Sequence, residues 1–122
     1  KMVNDTYGHA IGDELLLAFV ATCHAVLREG DVLGRLGGDE FAVLLPDTPL
    51  GQAESVAQRV RAAFERKSVN AAGSRVECSV SVGVAAVDQG HRVSLEDLLR
   101  DADRALYEAK RGGRNRVAVG RS

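Results

Sequence analysis

Two β-prone runs, Val32–Leu36 and Phe41–Leu45, stand on either side of the segment Gly37-Gly38-Asp39-Glu40. Glycine adopts the backbone conformations that a tight hairpin turn requires, so this pattern predicts two antiparallel strands joined by a short turn. The other elements of the chain must then be arranged around paired strands.

Three further segments carry apolar residues at three- and four-residue spacing, which is typical of amphipathic helices. They are residues 13–28, the segment from Thr48-Pro49 to near Lys67, and the segment from Ser94 to Gly112-Gly113. Asp13 is a candidate cap for the first helix, and Ser94 with Asp97 has the spacing of a capping box for the third. Thr48 followed by Pro49 is a start signal for the second.

Apolar and small or polar residues alternate from Val76 to Val84, a period of two that predicts one long strand with one buried face. Arg116-Val117-Ala118-Val119 predicts a final strand. The order of elements is therefore helix, hairpin, helix, strand, helix, strand. This order predicts an α+β fold in which helices flank a mostly antiparallel central sheet.

The composition fits one compact domain and limits the partners that it can have. The chain has 122 residues, of which 45% are hydrophobic and 27% charged. Sixteen Lys and Arg against 17 Asp and Glu give a formal net charge of -1, so no broad basic field attracts a polyanion. Aromatic residues make up only 4%. We therefore expect no nucleic-acid partner, and any nucleotide should be bound singly.

Cys23 and Cys78, the only cysteines, lie in apolar periodic segments and have no zinc-type spacing. Both are expected to be buried core thiols in a reducing compartment. No apolar run is long enough to span a bilayer, and no secretory signal pattern precedes the helix. We expect a cytoplasmic domain, whose parent protein could carry a membrane anchor elsewhere.

Asp39 and Glu40 place two carboxylates at the hairpin turn, beside glycines whose missing side chains let a ligand approach the backbone. Magnesium favours hard oxygen ligands and often bridges carboxylates to nucleotide phosphates. The acid pair is therefore a candidate metal platform. Taken alone, the same four residues fit an exposed turn with solvated acids equally well.

Other side chains have the chemistry of a guanine nucleotide site. Asn4 and Asp13 offer an amide and a carboxylate that can pair with the Watson-Crick edge of guanine. Lys110 and Arg114, four residues apart near the end of the third helix, can contact triphosphate oxygens, and Lys1 adds a third cation. The alternative for each basic residue is an ordinary solvated surface charge.

Four segments, in the same order, resemble the signature segments of GGDEF diguanylate cyclases, and the resemblance runs from end to end of the chain. They are Lys1 to Asp13, Arg35 to Phe41, Ser79 to Ala85, and Ala105 to Lys110 followed by Gly113 to Val117. The resemblance implies the palm-like fold of nucleotidyl cyclases. It also implies condensation of two GTP molecules into cyclic di-GMP, with release of pyrophosphate.

The resemblance further assigns roles to the matching residues. Asp39 would bind magnesium, or manganese in its place, and accept the proton of the attacking 3'-hydroxyl, with Glu40 as a further acid beside the metal. Asn4 and Asp13 would recognise guanine, and His9 would support the nucleotide. Lys1, Lys110 and Arg114 would neutralise phosphates, and Gly37 and Gly38 would let the nucleotide pass over the hairpin.

The same resemblance concerns regulation and assembly. Arg28 and Asp31 match the family's product-inhibition signature, and Arg59 is a secondary contact of the same site. Feedback binding of cyclic di-GMP is therefore expected. Each domain would hold one GTP, so catalysis would require a homodimer, and an upstream sensory or receiver domain is expected to control it.

One family feature has no counterpart in this sequence. Members carry another metal-binding aspartate on a strand upstream of the lysine that Lys1 matches. We therefore expect residues 1–122 to be a single GGDEF domain that lacks its first strand and leading helix, with uncertain activity as an isolated chain. Two alternatives remain at this point: a catalytically inactive module that senses GTP or cyclic di-GMP, and a piece that only dimerises.

Overall fold

The computed structural model describes residues 9–38, 40–71, 74–87 and 93–120. Within these ranges the elements are α1 (His9–Val26), β1 (Val32–Gly37), β2 (Glu40–Leu44), α2 (Leu50–Glu65), β3 (Ser68–Ala71), β4 (Ser74–Glu77), β5 (Val82–Val84), α3 (Leu95–Arg111) and β6 (Val117–Val119). The chain divides into two compact units, Lys1–Pro46 with Ala63–Cys78 and Asp47–Ala62 with Ser79–Ser122. No helix in the described ranges has the length and apolar character needed to cross a membrane.

The predicted hairpin is present in the first unit. β1 and β2 pair antiparallel, from Val32 opposite Leu44 to Gly37 opposite Glu40, with a register shift between Arg35 and Gly37. The shift leaves Leu36 as an extra residue on β1, which is the arrangement of a β-bulge. The bounds of the two strands differ from the predicted ones by a single residue at the affected ends.

Aromatic rings connect the helices of the first unit to the hairpin. The Phe19 ring on α1 lies 5.1 Å from that of Phe41 on β2 and 5.4 Å from that of Phe64, centroid to centroid. These are favourable tilted and edge-to-face separations. Cys23, one turn after Phe19, is fully buried, and Thr22 beside it donates its hydroxyl hydrogen to the Ala18 carbonyl oxygen at 2.8 Å. The apolar stripe of α1 thus packs as its periodicity predicts.

The helix α1 begins earlier than the sequence indicated. Its first residue is His9, so Asp13 lies inside the helix, one turn from its start, and the prediction that Asp13 caps it is wrong. A cap must precede the first helical turn, where backbone N–H groups have no partner inside the helix. Asp13 is instead an exposed carboxylate on the helix surface.

The long strand predicted from Val76 to Val84 is two strands with different partners. Ser74–Glu77 pairs antiparallel with Ser68–Ala71, whereas Val82–Val84 pairs parallel with Val117–Val119. The alternation continues through both strands because each has a buried residue, Val76 in the first and Val84 in the second. Periodicity therefore identified the extended backbone correctly but could not show that the pairing partner changes.

Sequence analysis did not identify β3, the partner of β4. Only Val69 among its four residues is strongly apolar, so no alternation stands out, yet Val69 is buried opposite Val76. A backbone bond from the Cys78 N–H to the Lys67 carbonyl at 3.3 Å extends this pairing. Cys78 is buried, as is Cys23, and both thiols are free, which confirms the predicted core positions.

The second unit is built on α3 and the parallel pair β5 and β6. Ser94 caps α3, because its hydroxyl oxygen accepts a hydrogen bond from the Asp97 N–H at 3.1 Å, as predicted. Ala105 and Ala109 are its buried residues. A side chain at Gly83 on β5 would overlap the backbone of Ala102 and Leu106, so the helix and strand are in direct backbone contact there.

The helix α2 begins at Leu50, where the Pro49 carbonyl accepts the first helical bond from Ala53 at 2.9 Å. Its predicted apolar stripe is largely buried, at Ala53, Ala57, Val60 and Phe64. It ends at Glu65, close to the predicted end. The helix supplies residues to both units.

Candidate active site

The hairpin turn is shaped by two glycines and one arginine. Gly37 and Gly38 have φ angles of 150° and 54°, a region that side-chain-bearing residues rarely adopt. The guanidinium of Arg35 donates two hydrogen bonds to the Gly38 carbonyl oxygen, from Nε at 2.9 Å and from Nη2 at 2.5 Å. A planar guanidinium that forms two such bonds fixes the direction of the carbonyl. The turn therefore has a defined backbone path.

The space beside the turn is open. A Cβ atom placed on Gly37 or Gly38 would meet no other atom within 4 Å, so the backbone angles and not crowding require glycine there. Glu40, the first residue of β2 and the pairing partner of Gly37, is exposed. Asp39 lies outside the described residues. Both the turn backbone at the glycines and the Glu40 side chain are thus accessible to a ligand.

The donor chemistry of the turn fits a hard divalent cation. Glu40 presents carboxylate oxygens beside glycine backbone, and Asp39 is the adjacent acid in the sequence. Oxygen ligands of this kind are those that magnesium takes. Among the described residues no cluster of three or more His, Cys, Asp or Glu side chains could hold a metal ion. Asp39 and Glu40 thus remain the candidate metal-binding residues.

The residues predicted to hold the nucleotide lie mostly at the start of the chain. Lys1 and Asn4 fall outside the described residues. His9 is the first residue of α1, and the exposed carboxylate of Asp13 follows one turn later. The structure thus describes Asp13 as an accessible acceptor, and the guanine-recognising role of Asn4 and Asp13 stays a prediction.

The third helix ends where the sequence predicted, at Gly112-Gly113, so Lys110 and Arg114 are not one turn apart on a continuous helix, as their spacing had suggested. Lys110 belongs to the last turn of α3, but the helix ends at Arg111 and Gly113 has a φ of 120°. The Gly113 N–H bonds to the Lys110 carbonyl at 3.4 Å, and the Arg114 N–H bonds to that of Ala109 at 3.0 Å. These two bonds form a Schellman motif, the usual glycine-dependent ending of a helix.

The segment that follows α3 is strongly basic. Lys110, Arg111, Arg114 and Arg116 are all exposed, and residues 110–116 contain no acidic residue. Basic residues in the last turn also stabilise a helix by opposing its dipole. Two of the four cations lie beyond the helix, however, so the dipole alone does not account for the cluster.

Arg28 and Asp31 form a compact turn between α1 and β1. The Asp31 carboxylate accepts the Arg28 backbone N–H at 3.0 Å and lies 3.5 Å from the Arg28 Nε. The Arg28 Nη2 donates to the Pro46 carbonyl at 3.1 Å. The Asp31 side chain is only 3% exposed, whereas that of Arg28 is 62% exposed. The Arg28 side chain is therefore largely exposed although its guanidinium bonds to Asp31 and Pro46, and the Asp31 carboxylate holds the turn. Arg59 is exposed on α2.

Arg35 was not predicted to have a role of its own. It lies three residues before Gly38, a spacing that lets its side chain fold back onto its own turn.

A second set of polar residues, in the second unit, was not predicted either. Arg61, Ser81 and Asn115 are joined by hydrogen bonds near Arg114. The bonded pairs are 34 and 54 residues apart in the sequence, so no local signal could have revealed these contacts.

Comparison with known proteins identifies the family. Residues 1–116 match the family described as "Diguanylate cyclase, GGDEF domain". The chain is 43% identical over 117 residues to diguanylate cyclase DgcM of Escherichia coli, an alignment that covers 96% of this chain and 27% of that protein. The chain spans only about a third or less of the length of the curated relatives that it matches.

Solved structures agree in fold. Diguanylate cyclase SiaD of Pseudomonas aeruginosa, in complex with its activator SiaC, superimposes with a TM-score of 0.88 and 37% identity, covering 98% of this chain and 45% of that one. The GGDEF domain of DgcB from Caulobacter crescentus, in complex with c-di-GMP, gives a TM-score of 0.87 and 30% identity, covering 98% and 68%. The α+β fold is thereby confirmed.

The fold and the glycine-acid hairpin are those of a GGDEF domain. The match over nearly the whole chain and the identity with named relatives place it plainly: the chain belongs to the GGDEF family of diguanylate cyclases.

Proposed function

We propose that this chain is the catalytic domain of a diguanylate cyclase, which joins two GTP molecules into cyclic di-GMP and releases pyrophosphate. The observation that carries the proposal is the hairpin turn, in which Arg35 fixes the Gly38 carbonyl and the exposed Glu40 follows Asp39 directly. Open backbone beside two adjacent acids suits a metal ion that bridges to nucleotide phosphates. Family membership supports the same activity.

In the proposed reaction, the 3'-oxygen of one GTP attacks the α-phosphorus of the other. The new O3'–P bond forms as the bond from the α-phosphorus to the bridging oxygen breaks, and pyrophosphate leaves with that electron pair. Asp39 accepts the proton of the 3'-hydroxyl. The step occurs twice, the second time closing the ring. Alignment of the two nucleotides and neutralisation of phosphate charge account for most of the catalysis.

The chain's own residues divide these tasks. Asp13 accepts hydrogen bonds from the ring N–H and amino group of guanine, and the Asn4 amide pairs with the same edge; adenine has no ring N–H on this edge to donate. Lys110 and Arg114, from the basic segment after α3, bind phosphate oxygens, and Lys1 contributes a third cation, with His9 beside the nucleotide. Asp39 and Glu40 would hold magnesium, or manganese, which when bound supplies neutralisation of the triphosphate charge.

The proposal includes assembly and regulation. Each domain presents one nucleotide, so two copies must meet for the 3'-oxygen to reach the second α-phosphorus. Arg28 binds the phosphates or guanine of cyclic di-GMP, and Asp31 holds the turn that presents it, with Arg59 as a secondary contact. A sensory or receiver domain joined to this one would control the approach of the two copies.

The first test measures cyclic di-GMP by chromatography after the purified dimeric protein is incubated with GTP and magnesium. The Glu40→Gln variant keeps the side-chain size but removes the charge, so product formation should fall about 100-fold or more, as expected when metal-side charge is lost. Glu77→Gln, at an exposed glutamate in β4, is the matched control and should leave the rate unchanged. Absence of product from the unmodified dimer would contradict the enzymatic function and favour the sensor alternative.

A further inference from the structure

The basic segment after α3 has an unusual backbone. Arg114 and Asn115 have φ angles of 63° and 47°, two consecutive residues with side chains in the left-handed region. Such a conformation is unfavourable for each residue that is not glycine, although asparagine tolerates it better than most. Backbone strain of this kind persists only where surrounding contacts hold it in place.

Contacts from two directions fix these residues. On the helix side, the Arg114 N–H is bound to the Ala109 carbonyl. The Arg116 Nε, two residues further along the chain, donates to the Arg114 carbonyl at 3.3 Å. On the strand side, the Asn115 N–H donates to the Ser81 hydroxyl oxygen at 3.1 Å, just before β5 begins. The backbone of Arg114 is therefore fixed on both of its flanks.

A second element supports Asn115 through its side chain. The Arg61 Nη1 on α2 donates to the Asn115 Oδ1 at 3.5 Å, at the long end of the hydrogen-bonding range. The Arg61 Nε donates to the Gln58 Oε1 at 3.0 Å, one turn earlier on the same helix. Arg61 and Asn115 are both half-buried, whereas the neighbouring Arg114 is exposed. The hydrogen-bond network of Arg61, Ser81 and Asn115 is thus less exposed than Arg114, the residue that it adjoins.

We propose that Arg61, Ser81 and Asn115 are positioning residues that hold Arg114 in the direction from which it binds the nucleotide phosphates. The inference rests on the proposed function, in which Arg114 contacts the triphosphate, and adds the residues that organise it. Fixing the backbone that carries the Arg114 side chain reduces the number of directions that the guanidinium samples, which lowers the ordering cost of binding phosphate.

The competing explanation is that the network only connects α3 to β6 and stabilises the unit. A double-mutant cycle separates the two, because residues that act through Arg114 lose their effect on binding once Arg114 is removed. A residue that only stabilises the unit would change the melting temperature and leave the affinity for nucleotide unaltered.

The experiment measures binding of a GTP analogue with a methylene bridge between the α- and β-phosphorus, by titration calorimetry on the purified protein with magnesium. Ser81→Ala removes the acceptor of the Asn115 N–H. Asn115→Gly keeps the left-handed backbone but removes the Arg61 contact, so it preserves the fold if Ser81→Ala does not. Each should weaken binding about three- to tenfold, the value of one hydrogen bond. Ser81→Thr keeps the hydroxyl and should therefore bind the analogue with wild-type affinity.

The exposed Ser79 provides the matched control, because Ser79→Ala removes a hydroxyl two residues away and should bind as the wild type does. In the Arg114→Ala background, neither Ser81→Ala nor Asn115→Gly should weaken binding further. Two results would overturn the positioning role alone. One is that the variants weaken binding equally in the wild-type and Arg114→Ala backgrounds. The other is that both single variants keep wild-type affinity while Arg114→Ala weakens binding. No binding of the analogue to the wild type, or no effect of Arg114→Ala, overturns the proposed phosphate site as well.

Discussion

At the scale of single residues, Arg35 and Asp31 each fix a turn, the first as a hydrogen-bond donor and the second as an acceptor. Arg35 donates to the Gly38 carbonyl oxygen and fixes the hairpin turn, whereas Asp31 accepts from the Arg28 backbone and fixes the turn before β1. In each case a charged side chain bonds to backbone three residues away. A charged residue close in sequence to a proposed binding residue can therefore hold the backbone in place, while the binding residue itself contacts the ligand.

This division of roles gives a prediction for feedback. Arg28→Ala should raise the concentration of cyclic di-GMP needed for half-inhibition by about tenfold or more, the loss expected for a charge-assisted hydrogen bond. Turnover should be unchanged, because the Asp31 carboxylate still accepts the backbone N–H of residue 28. Arg66→Ala, at an exposed arginine after α2, is the control. Equal inhibition of the Arg28→Ala variant and the wild type would count against this site.

Cys23 gives a prediction for the pH dependence of stability. Burial raises the pKa of its thiol from 9.0 to about 11, an effect that the nearby Lys67 charge partly opposes. The native state therefore holds this proton more tightly than the unfolded chain does. The stabilisation is complete below pH 9 and is lost as the pH rises towards 11, by roughly 2 kcal/mol.

Urea unfolding at several values between pH 8 and pH 11 measures this loss. Burial also raises the pKa of Cys78, so the wild-type curve contains both contributions. The Cys23→Ala variant should lose less stability than the wild type over the same interval. Parallel curves for the two proteins would show that the Cys23 thiol does not titrate as described.

At the scale of elements, α3 crosses β5 in close backbone contact at Gly83. No side chain fits there, since a Cβ would overlap the backbone of Ala102 and Leu106. Backbone atoms, unlike the end of a flexible side chain, cannot move aside cheaply. Glycine at this position is therefore a packing requirement and not a conformational one.

The Gly83→Ala variant should accordingly lose about 2–3 kcal/mol or more of unfolding free energy, as overpacked cores do. Gly34→Ala is a matched control, because Gly34 also lies in a strand but a Cβ there meets no atom within 4 Å. That substitution should change stability by less than about 1 kcal/mol. Similar losses in the two variants, measured by urea unfolding, would contradict the close packing of α3 on β5.

Elements differ in how far their sequence predicts them. The hairpin and the Ser94 cap were predictable because turn glycines and a capping hydroxyl act within four residues of themselves. The strand β3 was not, since its four residues are stabilised by pairing with β4 and not by their own pattern. The end of α3 at Gly112-Gly113 was predicted, but the left-handed backbone of Arg114 that follows it was not.

At the scale of the whole molecule, the proposed site residues are distributed over both compact units. The hairpin turn and Asp13 belong to the first, and Lys110 and Arg114 to the second. In the proposed reaction the site requires a second copy of the domain.

The proposed two-copy mechanism predicts that activity depends on protein concentration. Product formed per mole of protein should fall steeply on dilution through the dissociation range, because in that mechanism a monomer would hold only one of the two nucleotides. Fusion to a dimerising coiled coil should restore the rate at low concentration. A constant specific activity in samples that light scattering shows to be monomeric would contradict the two-copy mechanism.

The sequence by itself determined the local elements: three amphipathic helices, the glycine-acid hairpin, the buried cysteines and the family to which the chain belongs. These depend on residues that lie next to each other or one helical turn apart. Only the tertiary structure decided where the extended segment after Ser74 changes partner, and how Arg61, Ser81 and Asn115 meet behind Arg114. Such contacts join residues far apart in the chain, and only the folded backbone brings them within hydrogen-bonding distance.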